Sequence, residues 1–172
     1  MLQKPVPSSV TVNVDSRERV PPRFPETTWV HPRQSGTPFL VRVAVRRIRM
    51  ATGDYSLADF EDVMLIEKKG TSDELWQNFM SPDRERALAA LDRLSIACSR
   101  PVLWLDGTLR KFTNPPYIHG ANSPWKGIDL LLQETEKRGI QVLLLDQNKG
   151  TNRDVGEFLL HMMLTAALLE DT

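Results

Sequence analysis

The chain has 172 residues, 41% of them hydrophobic and 26% charged, with 22 Lys+Arg balancing 22 Asp+Glu. That length suits a single domain with one sizeable core, and the composition argues against a disordered, collagenous or coiled-coil chain. One cysteine, Cys98, excludes an internal disulfide framework or a multi-cysteine zinc site, and the longest uncharged apolar stretch, Phe158 to Leu169, is too short to span a bilayer. No apolar run follows Lys4 as a secretory signal would require, so the expectation is an intracellular protein without a membrane segment, cytoplasmic in a bacterium or virus and nuclear in a eukaryote.

The neutral total hides an asymmetry. Residues 1–50 carry nine Lys/Arg against three acids, so this part is +6 and the remainder −6. A basic segment of this kind can meet a polyanion, or can be a set of solvated arginines on an edge strand.

Residues 1–9 read as a flexible lead-in to one domain spanning 1–172. Alternation in Val10-Thr-Val-Asn-Val-Asp15 predicts a half-buried strand ending at Asp15. Residues 19–38 read as a proline-rich loop insertion, since residues 20–38 hold five prolines and Gly36. Alternation over 39–50 predicts a long strand with Phe39, Val41, Val43 and Val45 on one face and Arg42 and Arg46 on the other. Gly53-Asp54 marks a turn, and Val63 to Lys69 a third strand, largely buried and ending in charge.

The period then changes. Thr71 to Phe79 reads as a short helix, and Ser81-Pro82 as the start of a second, with an apolar stripe at Ala87, Leu88, Leu91, Leu94 and Ile96. Pro101 to Asp106 is a buried strand and 107–122 a loop. Ser123-Pro124 begins a helix that Gly139 closes, Ile140 to Leu145 is a fifth strand, and Asn152 to Glu170 a last helix. The early strands predict an antiparallel meander and the later ones parallel crossovers, which together make an α/β sandwich with a central mixed sheet flanked by helices.

Three charged clusters fall at strand ends: Asp15-Ser-Arg-Glu18, Gly53-Asp54-Tyr55 and Ile66-Glu67-Lys68-Lys69. Each alone is ordinary solvated surface. Together they are informative. Glu67 and Lys69 are two apart on a strand and share a face, while Lys68 points the other way. Asp54 precedes Glu67 by thirteen positions, a hairpin's return distance, so the two carboxylates can meet. Gathered carboxylates repel, and a divalent cation relieves that repulsion; an all-oxygen set favours Mg²⁺, with Mn²⁺ as substitute.

In this ordered set, Val14-Asp15-Ser16-Arg17-Glu18, Gly53-Asp54-Tyr55 and Ile66-Glu67-Lys68-Lys69, with Gly70 to Leu75 and Arg100 to Asp106 after it, the chain resembles the nuclease domain of XPF-type structure-specific endonucleases. Those belong to the restriction-endonuclease-like superfamily, with its acid, gap, Glu/Asp-x-Lys pattern. The resemblance covers about Val10 to Leu169 and implies a restriction-endonuclease-like α/β fold. It also implies a Mg²⁺-dependent endodeoxyribonuclease that hydrolyses phosphodiester bonds in branched, flap or junction DNA, in DNA repair or recombination. On it, Asp15, Glu18, Asp54, Glu67 and Lys69 are the catalytic set. Asp54, Glu67 and Asp15 would hold metal, and Arg17, Lys68, Arg86, Arg42 and Arg46 would contact DNA. A homodimer or heterodimer through the nuclease domain is a further implication.

The chain departs from the family in three places. Lys68 stands where the family has arginine, which removes a bidentate phosphate grip. Arg86 matches a family arginine, but Ala90 stands where a glutamine usually follows four residues on. No tandem helix-hairpin-helix module follows the last helix in this sequence, so the resemblance is to a standalone nuclease domain.

Two other classes compete. One is an inactive nuclease fold acting as a DNA-binding or scaffolding subunit, against which Asp54, Glu67 and Lys69 argue. The other is a nucleotide-binding α/β domain, for which neither G-x-G-x-x-G nor a Walker pattern is present. His161 reads as a core or interface residue, Cys98 as a small buried hydrophobe and Tyr55 as packing. Lys111, Tyr117, His119, Trp125 and Lys126 read either as a single-strand grip or as a docked loop.

Overall fold

The computed structural model describes residues 7–31, 36–70, 74, 79, 82–113 and 125–169. A seven-stranded mixed sheet forms the centre, in the order β2-β3-β1-β4-β5-β6-β7. Its strands are β1 (Ser9–Asp15), β2 (Thr27–Val30), β3 (Phe39–Ile48), β4 (Tyr55–Leu57), β5 (Met64–Lys69), β6 (Arg100–Asp106) and β7 (Gln141–Leu145). The fully described helices are α1 (Arg84–Ala97), α2 (Leu109–Thr113), α3 (Lys126–Glu136) and α4 (Asn152–Leu169).

The alternation of β1 divides the sheet into two faces. Val10, Val12 and Val14 join Val41, Tyr55, Ile66, Val102 and Trp104 in a core closed by α4 through Val155, Leu159, Leu160 and Met163. On the opposite face Leu65, Leu103 and Leu105 pack against Leu91 and Leu94 of α1, Phe112 of α2, and Ile128 and Leu131 of α3. The helices of that second face pack on β5, β6 and β7. The sandwich is as expected, with helices on both sides.

The meander is not. β1 pairs with β3 in parallel, in the register Asn13↔Arg46 and Asp15↔Ile48. The reason lies in the proline-rich stretch. Thr27 to Val30, between Pro25 and Pro32, form strand β2, which makes an antiparallel hairpin with β3 and reverses the chain before it meets β1. Alternation survives there (Thr28 and Val30 buried, Thr27 and Trp29 exposed), so four residues were enough for an edge strand. A second unexpected strand, β4, bridges β1 and β5 antiparallel to both. It is three residues long, too short to register as periodicity. Leu109 to Thr113, expected as loop, form a helical turn that buries Phe112.

Of the predicted helix over 71–79, Glu74 and Phe79 are described and helical, and the remainder lies outside the described residues. So do the Ser81 and Ser123-Pro124 caps, with Tyr117 and His119. Helix α1 starts at Arg84, and Ile96, placed in its apolar stripe, is 84% exposed because it stands off the face set by Leu91 and Leu94. Gly139 closes α3 with φ +63°, a conformation that favours glycine. His161 Nε2 lies 3.0 Å from Thr28 Oγ1 and so links α4 to β2. Among the described residues no helix is long and apolar enough to cross a membrane.

Candidate active site

The three charged clusters converge at the C-terminal ends of β1 and β5, where a cleft of about 840 Å³ is lined by Arg17, Glu18, Asp54, Glu67, Lys69 and Arg93, among others. In open α/β sheets this edge is where ligands bind.

Asp54 is set by backbone geometry. Gly53, at φ +76°, turns the chain into β4. Asp54 N then donates to Ile66 O (2.7 Å), while its carboxylate accepts the Lys68 N–H at 2.8 Å. That places it against the end of β5, as the thirteen-residue return anticipated. Burial, then the negative charges of Glu67 and Glu18, push the Asp54 carboxyl up to about 7, against the pull of the Lys68 N–H and the Lys69 ammonium. Glu67 lies on the face of β5 that carries Leu65, and its Oε1 accepts from Lys69 Nζ at 2.8 Å. Lys69 also meets Glu74 at 3.4 Å. Burial disfavours the Lys69 ammonium, but Glu67, Glu74 and Asp54 outweigh it and its pKa is raised, so it stays a cation.

Asp15 is brought to the site but does different work from that expected. Its side chain is fully buried, and both oxygens are engaged: Oδ1 accepts from Arg17 N (2.7 Å) and Nε (2.8 Å), and Oδ2 from Arg17 Nη2 (2.9 Å) and Met50 N (2.8 Å). The Arg17 hydrogen bonds, helped by the Met50 N–H, hold the carboxyl down at about 2. The geometry makes Asp15 the anchor of Arg17, whose side chain is 58% exposed on the cleft rim with Nη1 unpaired among the described residues.

Lys68 corrects a sequence expectation. It points to the opposite face, as alternation required, but there its side chain is only 5% exposed, over the Trp104 ring at 4.7 Å. Nζ donates to Val20 O (3.0 Å) and Gln147 Oε1 (2.9 Å) and pairs with Asp106 Oδ2 (3.2 Å). All three donors are committed, so a phosphate has none to use. Lys68 instead ties the 16–20 segment to β6 and the β7–α4 turn. Glu18 Oε1 lies 3.7 Å from it and accepts the Val20 N–H at 2.8 Å, while Arg47 donates to the Ser16 and Glu18 carbonyls.

Arg86 reaches a side cleft shared with Arg17, Glu67 and Lys69. Arg93, which sequence reasoning missed, lines both clefts. The signal was present: 86, 90 and 93 share one helical face, and Ala90 leaves room beside that arginine. Arg42 and Arg46 lie away from the cleft, exposed on β3, with Arg46 Nε and Nη2 on Asn13 Oδ1 at 3.0 and 2.9 Å. Tyr55 is wholly buried between Phe24 and Trp104, as packing required.

The mixed α/β fold is of the kind seen in solved XPF structures. Among solved structures, XPF from Aeropyrum pernix is similar over 93% of this chain, with a TM-score of 0.53 and 18% identity. XPF from Aeropyrum pernix in complex with DNA is similar over 92%, with a TM-score of 0.55 and 16% identity. This chain spans 64% of the length of each. No family model and no curated protein matches the sequence.

Proposed function

We propose that the chain is a metal-dependent endonuclease that hydrolyses phosphodiester bonds in DNA, with branched or flap DNA as the preferred substrate. The observation that carries the reading is the meeting of Asp54, Glu67 and Lys69 at the strand ends of a fold shared with XPF structures.

The donor set fits a hard divalent cation. Asp54 and Glu67 line one cleft, where burial first and then the Glu67 charge raise the Asp54 carboxyl, and a cation there would favour both charged forms. Among the described residues no group of three or more Asp, Glu, His or Cys is arranged to hold a metal. Mg²⁺ is commonly held by one or two carboxylates, completing its shell with water and substrate phosphate oxygens. Asp54 and Glu67 would hold it, with Glu18 a neighbouring charge; Mn²⁺ would substitute. When bound, the cation would stabilise charge at the scissile phosphate and make water a better nucleophile.

The protein's own groups supply the rest. Lys69 stays charged beside Glu67 and can hand hydrogen bonds to a phosphate oxygen as negative charge develops there. Arg17, aimed by Asp15, offers its free edge to the neighbouring phosphate. Arg86 and Arg93 continue a cationic rim along α1, and Arg42 and Arg46 add positive charge further along the sheet.

The test is purified protein with Mg²⁺ or Mn²⁺ against flap, fork, junction, duplex and single-stranded DNA, with Glu67→Gln and Lys69→Ala alongside. Cleavage that EDTA abolishes and either variant lowers by about 10² or more supports the reading. Binding without cleavage by any of these proteins would assign the chain instead to a DNA-binding subunit with a nuclease fold, possible because Glu67 is already neutralised by Lys69 at 2.8 Å.

A further inference from the structure

On the face of the sheet that carries Asp15, Glu67 and Lys69, the described helices pack on β5–β7, and the β2–β3–β1 half has an exposed outer part. The alternation that buries Val41 and Val30 places Leu40, Arg42, Ala44 and Arg46 of β3 on this face, and pairing adds Trp29 opposite Leu40. Parallel pairing brings Ser9, Thr11 and Asn13 of β1 alongside Arg42, Ala44 and Arg46. Trp29 is 57% exposed and Leu40 47%. Asn13 is buried beneath the arginine layer: its Oδ1 accepts from Arg46, and its Nδ2 donates to Ser56 Oγ (3.2 Å) and Glu61 Oε1 (2.8 Å).

Trp29 and Leu40 are paired neighbours, so the exposed indole belongs to a small apolar patch beside exposed arginines that a ligand can use. Two features say which. The face lies on the side of the sheet that carries Glu67 and Lys69, with Asn13 two residues before Asp15, the anchor of the cleft-rim Arg17, on β1. It also carries the exposed Arg42 and Arg46 beside Ser9 and Thr11, a positive charge that complements a phosphate backbone. From Ile48, paired with Asp15, to Leu40 is eight residues, about 26 Å of strand. That is room for roughly four or more nucleotides.

We propose that this open face is a binding platform for single-stranded nucleic acid, on which an unpaired arm leads away from the cleft, with Arg42 and Arg46 on its phosphates and a base stacked on Trp29. The proposal rests on the nuclease reading above and adds to it which part of the substrate lies where. Single strand is favoured over duplex because Trp29 offers a flat π-face, and only an unstacked base has a free face to meet it. A duplex would gain from the arginines alone.

The experiment measures fluorescence anisotropy of labelled oligo-dT of about 20 nucleotides and of a duplex of equal length. Ca²⁺ replaces Mg²⁺, and light scattering runs in parallel. Trp29→Ala should weaken oligo-dT binding about tenfold and duplex binding less than about twofold, with Trp29→Phe restoring most of the difference. Arg42→Ala should weaken both and lower the salt slope by about one counterion. Equal losses on the two ligands, or none, would overturn the proposal. So would a Trp29-dependent dimer, which would mean a second copy covers the face. If oligo-dT fails to bind while Mn²⁺-dependent cleavage still depends on Glu67, this inference falls and the nuclease reading stands; if no DNA is bound or cut, both fall.

Discussion

Replacing Asp54 with asparagine should stabilise the metal-free protein at alkaline pH while removing its response to a divalent cation. The Asp54 carboxyl is raised from 3.8 to about 7, chiefly by burial and by Glu67. In the folded state it therefore holds its proton over a range where the unfolded chain has lost it. Its contribution is fully favourable below about pH 4 and is lost as pH rises through about 7. The shift corresponds to a ceiling of about 4 kcal/mol, and the cleft's opening to solvent reduces this to about 1–3 kcal/mol. Asparagine keeps an oxygen for the Lys68 N–H and carries no charge. Urea unfolding in EDTA should find the two proteins within about 0.5 kcal/mol near pH 4 and the variant about 1–3 kcal/mol more stable near pH 8. With millimolar Mn²⁺ near pH 8 the order should narrow or reverse, because a cation bound only by the folded wild type adds stability by mass action. Equal stability at both pH values would refute the account of Asp54. Equal stabilisation of both proteins by Mn²⁺ would refute its place in the cation site.

Three more outcomes follow from the same geometry. Asp15→Ala should cost about 1–3 kcal/mol in urea unfolding near pH 7, since it leaves the Met50 and Arg17 N–H groups without their acceptor and releases the exposed Arg17 side chain. The stabilisation it removes is present above about pH 4 and lost as pH falls through about 2, so wild type and variant should converge in acid. Gly156→Ala should destabilise by about 1–3 kcal/mol, because its methyl would collide with the Arg23 carbonyl and displace the segment that supports Val20; an unchanged Tm would contradict that packing. The pair Arg86→Ala and Arg93→Ala should weaken duplex binding and lower the salt slope by about two counterions, against no change if these side chains are only solvated.

Much of the site was legible in sequence because its parts are local. Two residues on a strand share a face, so Glu67 and Lys69 had to meet and Lys68 had to turn away. The distance from Asp54 to Glu67 matched a hairpin, which the Asp54 N–H to Ile66 carbonyl bond bears out. The α/β sandwich followed likewise from the change of period after Lys69.

Other features depended on partners far away in the chain. Alternation shows which side of a strand a residue takes but not what waits there, so Lys68 read as a phosphate ligand until Val20, Gln147 and Asp106 were seen to consume its three donors. Asp15 likewise shows a strand-end carboxylate in sequence; its bonds to Arg17 are local, but that the Met50 N–H completes them is decided by the turn after β3. Short edge elements were hidden as well. Thr27 to Val30 and Tyr55 to Leu57 draw their stability from neighbours rather than from their own pattern, and it was β2 that made β1 and β3 parallel. The sequence alone therefore determined the three longer described helices, the long strands and the pairing of acid with lysine on β5, all set by periodicities of two and 3.6 residues. The tertiary structure decided strand order, which charges are already neutralised, and which face of the sheet stays open, because each depends on contacts between residues tens of positions apart.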